Sequence, residues 1–131
     1  MVIDSSALIA ILLGEPDRER FKLAISAADI RLVSAVTKLE ANLVAVSRLG
    51  PRGAEELDDV LRNIGATIAP FDDHQADIAR DAFIRYGKGR HRAALNFGDC
   101  FAYALSKLTG EPLLFKGADF AATDVVPCRS S

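Results

Sequence analysis

The chain has 131 residues, 50% of them hydrophobic and 26% charged, with a formal net charge of −2. That length holds one ordinary core, so residues 1–131 are read as a single domain, and the composition excludes a disordered chain. The near-balanced charge excludes capture of nucleic acid by a global positive field, so a polyanion would have to be met by a local basic patch or by a metal ion.

In chain order, Met1–Asp4 reads as a short strand ending in an acid. Ser5–Leu13 follows as a helix, with Gly14 and Pro16 as its stop. Its apolar run, Ala7–Leu13, is too short to span a bilayer and follows an acid rather than a basic segment, so neither a membrane span nor a signal peptide is expected and the cytoplasm is the expected location. Asp17–Ala28 is a second helix and Ile30–Val33 a second strand. Val36–Leu49 is a helix stopped by Gly50 and Pro51, and Ala54–Ile64 another, with Leu57, Val60, Leu61 and Ile64 on one face. Thr67–Ala69 suits a third strand. Asp73–Tyr86 is helical, with Asp72 or Asp73 as its cap. A glycine-bearing basic connection, Gly87–Ala94, leads to a helix over Gly98–Leu108 that stops at Gly110. Pro112–Phe115 is a fourth strand, and Asp124–Val126 is a candidate fifth. Strands alternating with helices predict an α/β fold of three layers, with a short central parallel sheet flanked by helices on both faces. Ligands of such sheets gather beyond the carboxyl ends of the strands.

Several acids fall near those ends. Asp4 closes the first strand, where it can serve a site or cap the next helix; Ser5 and Ser6 can cap too, or orient the Asp4 carboxylate through a hydroxyl. Glu40 stands three residues after Thr37, the spacing of a capping box, yet among Leu39, Ala41, Leu43 and Val44, where a lone carboxylate needs a partner. Asn96 and Asp99 repeat the capping spacing at the start of a helix that looks largely buried. Asp119 follows the fourth strand after a glycine turn, and Asp124 is a weaker candidate five residues on. Two carboxylates ~5 Å apart repel by roughly 3 kcal/mol at an effective dielectric near 20. A cluster of Asp4, Glu40, Asp99 and Asp119 therefore calls for a hard divalent cation, and all-oxygen ligation favours Mg²⁺ or Mn²⁺. Such a site suits phosphodiester hydrolysis. No Cys/His pair has zinc spacing, His74 and His91 are isolated, and Cys100 and Cys128 are too few for a disulfide framework.

The stretches Met1–Leu8 and Gly14–Pro16 resemble the opening of PIN-domain proteins. Ala94–Ala104, with Asn96, Gly98 and Asp99, is similar to the signature of VapC-type toxins, and Pro112–Phe120 with Thr123 and Asp124 matches the family's closing motif. The resemblance implies a PIN fold and an Mg²⁺-dependent endoribonuclease, with Mn²⁺ able to substitute. Asp4, Glu40, Asp99 and Asp119 would be its catalytic acids, Asp4 and Asp99 the direct metal ligands, and Ser6 the hydroxyl that orients Asp4. It implies the toxin of a toxin–antitoxin pair, held by a small VapB-type antitoxin and usually a homodimer. Ser5 stands where Thr is common, and Ala118 where Asp or Asn often precedes the last acid.

For RNA, the densest basic run is Arg85, Lys88, Arg90 and Arg92, with Tyr86 and His91 among them. It reads either as a solvated loop or as a phosphate-contacting strip, with Arg85, Arg90 and Arg92 as the substrate-binding candidates. Tyr86 reads as a base-stacking ring or a helix-end core residue. Lys116 reads as a rim charge. The rival functions are a phosphotransfer module, which would need a second acid where Ser6 stands or a phosphorylated Asp after the third strand, and a silent binding module whose acids are only caps.

Overall fold

In the computed structural model, which describes residues 1–128, the period-2 alternation of four very short strands decides the layering. β1 is Val2–Ile3, β2 Leu32–Ser34, β3 Thr67–Ala69 and β4 Leu113–Leu114. All pair in parallel, in the order β3-β2-β1-β4. Ile3, Val33 and Leu114 point to one face; Val2, Leu32 and Leu113 point to the other. Each face carries its own apolar cluster. The first is built on helices α1 (Ser5–Leu12), α2 (Arg18–Ser26), α3 (Ala35–Leu49) and α4 (Arg52–Asn63). The second is built on α5 (Asp73–Tyr86) and α6 (Asp99–Thr109). The expected three-layer α/β fold is the observed one.

The helices sit where the sequence puts them, within a residue or two. β3 and α5 match their expected bounds, and Asp72 caps α5 by accepting from the Gln75 amide at 2.9 Å. Two differences matter for the site. β2 runs on through Ser34, which is also the N-cap of α3, so Thr37 lies inside the first turn and the Thr37–Glu40 capping box does not form. The candidate fifth strand at Asp124–Val126 is reduced to a single bridge between Pro127 and Leu113, and a 3₁₀ turn forms at Asp119–Ala122 instead. A two-residue strand beside it offers too short an edge to template a longer partner.

α3 buries Thr37, Ala41 and Ala45, a stripe of small side chains spaced by four, against α1 and α4. Leu39, Leu43 and Val46 are therefore turned outward and exposed. Glu40 is half-buried between the two stripes.

Candidate active site

Because every strand is parallel, β1, β2 and β4 discharge their chains at the same edge. Asp4 leaves β1 there, Ser34 leaves β2, and the turn carrying Asp119 follows β4. α6 begins at that edge with Asp99, and α3 carries Glu40 over it. Asp99 feels the charges of Asp4, Asp119 and Glu40, and Asp4 feels that of Glu40. The four expected acids are thus brought into one electrostatic neighbourhood. Among the described residues no group of three or more Asp, Glu, His or Cys side chains is drawn together at metal-holding geometry. The arrangement is an open acidic edge rather than a closed cage.

Asp4 is 2% exposed and serves as the N-cap of α1. Its Oδ2 caps α1, accepting from the Ser6 amide at 3.1 Å and from Ser6 Oγ at 2.6 Å. Ser6 Oγ in turn accepts from the Lys116 amide at 2.9 Å. One hydroxyl thereby clamps the end of β1, the start of α1 and the segment after β4. Asp4 Oδ1 is buried with no hydrogen-bond partner among the described residues. Burial lifts the Asp4 carboxyl to about 6, against the opposing Ser6 hydrogen bonds and with help from Glu40.

Asp99 also takes part in a cap. Asn96 and Asp99 exchange bonds: the Asn96 amide donates to Asp99 Oδ2 at 3.0 Å, and the Asp99 amide to Asn96 Oδ1 at 2.9 Å. Cys100 is buried, keeps its proton because burial raises its pKa to about 11, and braces the same loop by donating from Sγ to the Asn96 carbonyl at 3.3 Å. Burial likewise lifts Asp99 to about 6, with Asp4, Asp119 and Glu40 adding to the rise. Gly98 immediately before it has no room for a side chain, because a Cβ there would overlap the Glu40 carboxylate. Glu40 rests against the threshold of α6 only because residue 98 is glycine.

The donor set at this edge is entirely oxygen, and Asp4 Oδ1 is a buried acceptor with nothing to accept from. Those features fit a hard divalent cation such as Mg²⁺ or Mn²⁺. Sequence reading missed two neighbours. The pairing of Val2 with Leu32, continued by two residues, sets Asp4 beside Ser34. Ser34 Oγ and Thr37 Oγ1 are both buried without partners among the described residues. The sequence marks Thr37 only as a capping-box residue and Ser34 not at all, since their burial depends on how α3 meets the sheet.

The other candidates fall outside this edge. Asp124 accepts from the Tyr103 hydroxyl at 2.5 Å and pairs with Lys107 at 3.1 Å and Arg85 at 3.7 Å. Burial raises its carboxyl, but these partners outweigh it and hold it below the usual range. It fastens the tail to α6 and α5. Arg85 also lies over the Tyr86 ring, 4.9 Å from its centroid. Tyr86 is 5% exposed, packed against His91 and Tyr103, so it is a core residue and cannot stack a base. Lys88, Arg90 and Arg92 are exposed and form no ion pair with a described residue. Lys116 turns to Glu15 at 3.0 Å and Asp17 at 3.7 Å, a rim charge.

Residues 1–126 match the family model of the PIN domain. The chain is 53% identical to ribonuclease VapC30 of Mycobacterium tuberculosis over 125 residues, which cover 95% of each chain. It is 52% identical to ribonuclease VapC of Mycolicibacterium smegmatis, over 95% of this chain and 97% of that one. Among solved structures it is similar to Mycobacterium tuberculosis VapC20, described as a Sarcin-Ricin loop cleaving toxin, with a TM-score of 0.79, 18% identity and 98% of each chain covered. It is also similar to a chain of a toxin–antitoxin complex from Klebsiella pneumoniae, with a TM-score of 0.70, 19% identity, and 95% and 93% covered. At those identities the two structures speak for the fold.

Proposed function

Since the chain belongs to the PIN-domain family, alongside the VapC ribonucleases, we propose that it is a metal-dependent endoribonuclease, the toxin of a VapBC-type toxin–antitoxin pair. The observation that carries the chemistry is the single sheet edge holding Asp4, Glu40, Asp99 and Asp119, with one Asp4 oxygen buried and unpartnered. Asp4 and Asp99 would hold Mg²⁺, or Mn²⁺ in its place. When bound, the ion supplies positive charge for the scissile phosphate and lowers the pKa of water. Ser6 keeps the Asp4 carboxylate in one orientation. Glu40, half-buried on α3, and Asp119, exposed at the 3₁₀ turn, complete the negative wall. Arg85, Arg90 and Arg92 remain the proposed contacts to RNA phosphates, with Arg90 and Arg92 the freer pair.

A toxin needs a restraint, and we propose a small VapB-type antitoxin as its partner and a homodimer as its own assembly. The outward stripe Leu39, Leu43 and Val46 on α3 supports a protein partner, because three exposed aliphatic side chains on one helix face are worth covering. RNA as substrate argues for a cytoplasmic place, and among the described residues no helix is long and apolar enough to cross a membrane.

The metal reading is tested by incubating the protein with RNA in Mg²⁺, in Mn²⁺ and in excess chelator. Cleavage is expected with either ion, together with a higher Tm, and none with chelator. Cleavage undiminished in excess chelator would remove the metal from the reaction.

A further inference from the structure

Beside the acidic edge an apolar depression of about 540 Å³ lies between α5 and the start of α6. That is within the range of roughly 300–1,000 Å³ typical of small-ligand sites. Phe71, Phe83, Phe97 and Phe101 line it, and Arg80 stands at its charged rim. Phe97 is 78% exposed. Its ring is nevertheless held: it meets Phe101 edge-to-face at 4.8 Å and 85°, and Phe101 meets Phe71 at 4.8 Å and 74°. Its backbone is held as well, because it lies between Asn96 and Asp99, which clasp each other by two hydrogen bonds. A fixed aromatic ring left in water forgoes roughly 1.5–3 kcal/mol of burial.

We propose that Phe97 and the groove beneath it form a nucleobase subsite, in which one base of single-stranded RNA stacks on the Phe97 ring while a neighbouring phosphate lies at Asp99. This rests on the ribonuclease reading and adds to it where a base is gripped. Position favours a base over a peptide side chain. Only Gly98 separates Phe97 from Asp99, a span of at most about 7 Å. Stacked nucleotides advance about 3.4 Å each. A base one or two steps from the scissile phosphate is therefore within reach of this ring. The groove adds almost no free hydrogen-bonding side chain, since Cys100 spends its thiol on the Asn96 carbonyl and Arg80 pairs with Asp77 and Asp81. The subsite thus reads stacking area rather than base edges, and it favours purines over pyrimidines.

The test pairs the ring with the base. A random-sequence pool of short single-stranded RNAs in Mg²⁺ identifies a cleaved oligonucleotide, and the same oligonucleotide is then made with an abasic site at each position flanking the cut. Phe97→Leu keeps apolar bulk without a π face, and Phe97→Trp restores one. Both variants are exposed-site changes whose folding is checked by thermal melting. Phe97→Leu is expected to raise KM about 5- to 100-fold, the effect of one stacked base. Phe97→Trp is expected to stay near wild type, with its fluorescence quenched on binding. One abasic position should cost wild type the same factor and cost Phe97→Leu nothing further. If Phe97→Leu cleaves like wild type, or the two losses multiply, the subsite is overturned while the nuclease reading stands. Loss of a protein partner from Phe97→Leu with RNA kinetics unchanged would likewise overturn it, assigning the groove to that partner. A wild-type protein that neither binds nor cleaves any RNA would remove both readings together.

Discussion

Asp4 sends one oxygen into the Ser6 clamp and the other into the interior with no partner, and that asymmetry has a pH signature. Its carboxyl is lifted by burial to about 6, whereas an Asp in an unfolded chain titrates near 3.9. A raised carboxyl pKa means that the folded state prefers the neutral form. The stability it contributes is fully present below about pH 4 and is lost as pH rises through about 6. In chelator, Asp4→Asn is therefore expected to melt higher than wild type at pH 7.5, by up to roughly 3 kcal/mol, and no higher at pH 4. The amide still caps α1 and cleavage is gone. A melting series from pH 4 to 8 checks this; a variant less stable than wild type at pH 7.5 would make Asp4 an ordinary cap. Gly98→Ala separates site from fold in another way. The new methyl displaces the Glu40 carboxylate, the end of a flexible side chain, so Tm should move little while cleavage drops at least tenfold and Mg²⁺ affinity, followed by calorimetry, weakens. At this scale the sequence was informative for Asp4, Ser6, Asp99 and Asp119, whose motifs are local. It was silent on Ser34 and on the Gly98–Glu40 contact, and it read Thr37 only as a cap, because these arrangements exist only once α3 and α6 meet. It left Tyr86 open, because a ring at a helix end can face either way until the packing of His91 and Tyr103 decides.

Element boundaries show the same division. Helices with strong caps were legible to a residue or two: Asp72 starts α5, and Gly110, in the left-handed conformation at φ 73°, ends α6. The helix expected from Val36 starts one residue earlier, at Ala35, and Thr37 lies in its first turn rather than at its cap. The chain instead uses Ser34, whose hydroxyl makes no cap bond. The fifth strand failed because β4 is only two residues long. The connection from Gly87 to Gly98 is the element on which the RNA argument depends. It turns back on itself, with the Lys88 amide bonded to the Leu95 carbonyl at 2.9 Å and the Leu95 amide to the Tyr86 carbonyl at 3.0 Å. Lys88, Arg90 and Arg92 are thereby displayed on a pinned loop rather than a loose one. If they meet phosphates, each lost contact reduces the salt dependence of binding by close to one counterion. Arg90→Ala with Arg92→Ala should weaken RNA binding and lower the slope of log K against log salt by about 1–2. An unchanged slope would show that the strip holds no substrate. Arg85 should matter less, since Asp124 already shares its charge.

The whole molecule presents three surfaces that a restrained nuclease would need: an acidic edge, a basic loop and an uncovered apolar helix face. A net charge of −2 gives no long-range pull toward RNA. Catalysis then depends on local contacts, and those can be blocked by a partner that sits nearby. α3 links the two regions, because it carries Glu40 toward the acids while Leu39, Leu43 and Val46 face outward beside it. A protein covering that stripe would lie within one helical turn of Glu40. Expression of the chain alone is therefore expected to arrest growth, and co-expression of a VapB-type antitoxin to restore growth. Leu43→Glu carries the argument further. Leu43 is exposed, so the charge should leave Tm and RNA cleavage close to wild type. Placed in the centre of an apolar contact, the same charge should break the partnership, with the variant arresting growth even when the antitoxin is supplied and no longer co-purifying with it. Sedimentation of the purified variant shows separately whether the stripe also joins two copies. If Leu43→Glu is still fully rescued and still sediments as wild type does, α3 contacts neither the antitoxin nor a second copy through this face.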